Sequence, residues 1–180
     1  MAHRLEKTSP LLVLALLAMA LLLTASVAGI VSDDGGRPYH FTSLRGESVE
    51  IYGGQGLYQY DNTLKAVIFR GFDWVNLILV LPLFVVGIYR YRRGQLRGRL
   101  LLAALFIYLA YDYLIGVMGN AFNSMFLVWT ALFSIGFFGL LLILGESDVS
   151  SLPEKLGPRF PRKSVSVYMV VVGLFLLFQR

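Results

Sequence analysis

From Phe72 to Gly145 the chain runs through long apolar stretches, and dense charge interrupts them only in Arg90-Tyr91-Arg92-Arg93-Gly94-Gln95-Leu96-Arg97-Gly98-Arg99. A helix that crosses a bilayer needs about 20 mainly apolar residues, and backbone polar groups at that depth must be satisfied within the segment. The pattern therefore predicts an all-α fold, a polytopic transmembrane bundle. Lys and Arg in short loops stay on the cytoplasmic face, so the arginine segment also sets the expected orientation.

The spans expected from hydropathy are residues 11–31, 72–89, 100–118, 125–145 and 165–178, about five in all within a single membrane domain over 1–180. Residues 11–31 extend about 31 Å as a helix, long enough to cross, and Pro10 suits the first turn. The same run, with Ser26-Val27-Ala28 near its end, also reads as a signal peptide, although it continues past that point and fits an uncleaved anchor better. Residues 165–178 reach only about 21 Å, short of the hydrocarbon thickness. In the expected topology the N-terminus and loops 90–99 and 146–164 are cytoplasmic. Arg4, Lys7, the five arginines of 90–99, Lys155, Arg159, Arg162 and Lys163 then lie inside, as the positive-inside rule requires.

Residues 32–71 form the outer polar loop. Ser48-Val49-Glu50-Ile51-Tyr52 alternates polar and apolar like a half-buried strand, and Gly53, Gly54 and Gly56 mark a turn. Asp61 or Asn62 is placed to cap a short helix through Arg70, whose Leu64, Val67 and Ile68 share one face and suit a helix lying on the membrane surface. Pro82 is expected to kink the second span.

The chain is 57% hydrophobic with a formal charge of +5, but its basic residues sit in loops, with no basic stripe interleaved with aromatics. That distribution points to anchoring beside anionic lipid and away from nucleic acid. Cysteine is absent, which removes disulfides, iron–sulfur clusters and thiolate metal sites. His3 and His40 lie outside the apolar runs, so neither is placed to hold a haem between helices. No cofactor is expected. Gly53-Gly54-Gln55-Gly56 lacks the Lys and Ser/Thr that complete a phosphate loop.

Several features resemble a family of uncharacterised bacterial multi-pass membrane proteins: Gly56-Leu57-Tyr58 with Asp61, Arg70 and Asp73 before a Leu/Pro-rich span, the arginine loop, a Tyr-rich third span, and Ala121-Phe122-Asn123 ahead of Phe126-Leu127. The resemblance covers roughly residues 56–129. It implies a membrane location and no particular activity. Members usually carry Asn where this chain has Asp112, and they continue through further spans.

The orientation brings one group of polar residues to the outer level. Asp73 and Asn76 open the second span, Asp112 lies about 9 Å below the outer end of the third, and Asn120 and Asn123 stand in the turn that follows. Tyr108 is one helical turn before Asp112, and Arg70 is the nearest cation. A carboxylate at a helix centre costs about 2.5–3.5 kcal/mol on insertion scales, so Asp112 should face the bundle. Arg70, Asp73, Asn76, Tyr108, Asp112, Asn120 and Asn123 are thus the candidate residues of an outward-facing ligand site, with no metal set among them. The plainer alternative makes Asp112 a structural contact, Tyr108, Tyr111, Tyr113 and Trp74 packing or interfacial residues, and the asparagines turn formers. A binding or assembly component, alone, as a homo-oligomer or with a membrane partner protein, is the leading expectation. A small transporter or transporter subunit for a cation or proton-coupled solute is the alternative. An enzyme using the carboxylates as acid and base lacks both a nucleophile with an adjacent base and a metal constellation.

Overall fold

The computed structural model describes residues 9–146 and 161–178. Helices dominate: α1 (Pro10–Val31), α2 (Thr63–Val75), α3 (Leu81–Arg92), α4 (Leu96–Gly119), α5 (Phe126–Gly145) and α6 (Arg162–Phe178). The strands β1 (Tyr39–Thr42) and β2 (Ser48–Ile51) form one antiparallel hairpin. A π-helical turn, Asn76–Val80, joins α2 to α3. Four helices are long and apolar enough to cross a membrane, namely α1, the continuous Thr63–Arg92 helix, α4 and α5. The chain is an all-α helical membrane protein. Its fifth apolar helix, α6, is shorter than a span.

The chain divides into two compact units, Met1–Glu146 and Ser147–Arg180, where the sequence suggests a single domain. In the second unit the described residues are those of α6. The expected loop 146–164 lies mostly outside the described residues, as does His3.

Within the first unit, α4 packs against both α3 and α5, and α1 packs against α5 and the Thr63–Arg92 helix. Small side chains set the closeness of these contacts. A Cβ at Gly136 would collide with the backbone of Ala110 and Phe106, and one at Gly139 with the Phe106 ring. Leu22, Phe84, Leu102, Phe106, Leu109 and Leu132 are fully buried. Apolar residues such as Leu16, Ile78, Ile107 and Phe138 face outward, as a lipid-exposed surface requires.

The separate surface helix expected before Gly71 is corrected by one 30-residue helix, Thr63–Arg92. Asn62 caps it, accepting from the Leu64 amide at 2.8 Å, and Gly71 keeps helical geometry with open space around it. Leu64, Val67 and Ile68 are the exposed face of its first turns. The irregularity falls instead at Asn76–Val80, where the Leu81 amide donates to the Asn76 carbonyl five residues back. Pro82 has no N–H to continue the regular ladder, so one widened turn takes up the mismatch without breaking the helix.

Residues 32–62 form a cap on one end of this unit. Tyr39 pairs with Ile51 and Thr42 with Ser48, which confirms the alternation read in β2 and adds a partner strand. The Tyr52 amide donates to the Asp61 carbonyl at 2.9 Å and the Gly53 amide to the Gln59 carbonyl at 3.0 Å, folding the segment back. Gly53 needs its left-handed conformation (φ 67°), because a Cβ there would overlap the Arg37 carbonyl.

Candidate functional site

The cap is tied to the bundle by polar contacts. The Leu57 amide donates to Ser32 Oγ at the end of α1 (3.1 Å), the Tyr52 hydroxyl to Asp33 (2.9 Å), and Arg70 pairs with Asp33. The Ala121 amide donates to Asp61 Oδ1 at 2.7 Å, and beside it, within the bundle, Lys65 Nζ of α2 donates to the Gly119 carbonyl of α4 at 2.7 Å. Burial holds the Asp61 carboxyl above the ordinary carboxylate value, while the Ala121 amide and nearby Lys65 pull the other way.

Beneath the cap lies a cluster inside the bundle. Tyr58 reaches down from the cap and donates to Asp73 Oδ2 at 2.7 Å. Its ring stacks with Phe69 and Trp129, with centroids 6.2 and 6.1 Å away. Burial, then the adjacent Asp73 carboxylate, keep the Tyr58 phenol well above its usual range, so it remains a donor. Ser26 of α1 is fully buried beside Asp73 and Tyr113. Gly29, one turn on, must lack a side chain, since a Cβ would overlap the Asp73 carboxylate. On the far side Tyr108 donates to Asn76 Oδ1 at 2.8 Å, and the Asp112 carboxylate sits beside both. Asp73, Asn76 and Asp112 are 5%, 1% and 9% exposed.

The cavity among Tyr58, Asp73, Asn76, Asp112, Tyr113 and Trp129 holds only about 10 Å³, room for a single water at most. No Lys, Arg or His lines it. Two buried carboxylates therefore share a small space that no protein cation lines. A space of this size excludes any solute larger than a water.

Of the seven candidates, Asp73, Asn76, Tyr108 and Asp112 come together here. Arg70 does not join them, because its guanidinium turns to Asp33 in the cap, where a salt bridge forms closer to water. Asn123 lies in the turn before α5, accepting from the Met125 amide at 2.9 Å and donating to the Ala121 carbonyl. Asn120 stays in the same turn with both side-chain polar atoms buried and unpaired. Asn123 also lines a second, open groove of about 430 Å³, bounded by Ser32, Gln59, Tyr60, Phe122 and Ser124. Tyr58, Ser26, Gly29 and Tyr113 belong to the cluster although spacing along the chain does not place them in it. Comparison with protein-family models, curated proteins and solved structures yields no match.

Proposed function

We propose that this chain is a binding or assembly component of the cell membrane, with its N-terminus cytoplasmic and its cap on the outer side. The observation that carries this reading is the hydrogen-bonded tie between cap and bundle, with Tyr58–Asp73 at its centre, near an open groove that combines polar and aromatic side chains. Tyr60 and Phe122 are 61% and 76% exposed at its rim, an arrangement suited to holding a partner segment or headgroup. The resemblance to multi-pass membrane proteins agrees with the location and adds no activity.

A photoreactive residue at Tyr60 or Phe122, tested in intact cells, should capture one discrete partner, a second copy of the chain included. Crosslinking confined to lipid, equal to that from a reporter at Ile107 on the bundle wall, defeats the reading.

A second reading, a small transporter or transporter subunit, is favoured by the buried carboxylates Asp73 and Asp112, which form no ion pair among the described residues. In proteoliposomes, Asp112→Asn should then abolish proton- or cation-coupled flux. Unchanged flux in the variant sinks it.

A further inference from the structure

At the opposite end of the first unit, α1 and α3 border a groove of about 460 Å³, within the range of ligand sites. Its walls are apolar, formed by Leu16 and Met19 of α1 with Val85 and Ile88 of α3. Its mouth is cationic. Arg92 and Arg93 close it, and the Arg93 guanidinium stacks 4.3 Å above the centre of the Tyr89 ring, which also lines the groove. Among the described residues neither arginine forms an ion pair. Glu146, the acid described at this end, accepts instead from the Tyr91 hydroxyl at 2.7 Å.

We propose that this groove is a binding site for one anionic phospholipid. The acyl chain lies along the Leu16, Met19, Val85 and Ile88 wall, and the phosphate is held by Arg92 and Arg93. Charge and shape agree on this occupant. A guanidinium presents a planar fork of donors that fits two phosphate oxygens, and stacking on Tyr89 orients the Arg93 fork in advance. Basic pockets between helices at a membrane surface select anionic headgroups for this reason. The C-terminal carbonyls of α3 disfavour an anion nearby, so the headgroup contact depends on the two side chains alone.

Native mass spectrometry of the full chain, released from detergent with phosphatidylglycerol or phosphatidylcholine of matched acyl chains, tests the site. Phosphatidylglycerol should be retained about tenfold or more over phosphatidylcholine, from roughly two favourable charge contacts. Arg92→Gln with Arg93→Gln should erase that preference. Arg90→Gln with Arg97→Gln, which removes the same charge away from the groove, should preserve it. Met19→Trp, which fills the groove, should lower retention of both lipids, and the exposed arginine pair carries the test if that variant does not fold. Equal retention of the two lipids by the parent chain, or equal losses from the two arginine pairs, overturns the proposal.

Discussion

Tyr58 stands at the junction of the cap and the bundle, and its hydroxyl donates to Asp73 at 2.7 Å. Tyr58→Phe keeps the stacking with Phe69 and Trp129 and removes that bond alone. Leaving a buried acceptor short of its donor costs about 1–3 kcal/mol, and the loss should appear as a lower thermal midpoint in detergent. An unchanged midpoint would mean that Asp73 is satisfied from elsewhere. Tyr58 is absent from the candidate set because it lies in a polar loop 15 residues from Asp73, and only the fold-back of residues 52–62 lowers it into the bundle. Arg70 shows the reverse error. Its closeness to Asp73 in the chain is real, but its charge finds Asp33, which contact order along the sequence does not reveal. Asp61 allows a pH test outside the spans. Its folded-state value is raised above the ordinary 3.8, so the folded protein binds the proton more tightly, and stability falls as pH rises from 3.8 through the raised value. Asp61→Asn keeps an acceptor for the Ala121 amide without the charge. Its advantage over the parent in chemical denaturation should grow across that interval and vanish below it; a pH-independent difference contradicts the assignment.

Elements show a similar division. Hydropathy finds α1, α4 and α5 because each is an unbroken apolar run, with length alone deciding that it spans. It misses the start of the second long helix because Lys65, Arg70 and Asp73 dilute the apolar signal over turns that are nonetheless helical. The helix survives this polarity because its polar side chains leave for the cap or enter the cluster. The widened turn at Asn76–Val80 is equally hidden: Pro82 announces a disturbance, but whether it becomes a kink or a π turn depends on packing. Close approach is the other element-scale property, seen best where α4 meets α5. Gly136→Val should lower stability by about 1–3 kcal/mol, because its side chain meets the rigid backbone of Ala110 and Phe106. Gly145→Ala meets open space and serves as the control. Similar midpoints for the two variants in a detergent melt would show that α4 and α5 pack more loosely than this.

For the molecule as a whole, the two ends of the first unit differ in kind. One carries a folded polar cap with a closed carboxylate cluster beneath it. The other carries a short arginine loop, and five of the chain's 16 Lys and Arg residues fall within residues 90–99. The proposed sidedness rests on this asymmetry, since loops rich in Lys and Arg resist translocation while a moderately charged cap of this length does not. A reporter that is active only outside the cytoplasm should therefore give signal when inserted after Leu44 and none when inserted after Gly94. The causal test is to change the charges. With Arg90, Arg92, Arg93, Arg97 and Arg99 all replaced by Gln, the positive end loses its bias, and the Gly94 reporter should become active in a substantial fraction of molecules. If that reporter stays silent, orientation is set by the first helix and its flanks, and the arginine loop is free to serve the lipid groove alone. If it is active even in the parent chain, the cap is cytoplasmic, and the carboxylate cluster lies nearer the opposite compartment from the one proposed.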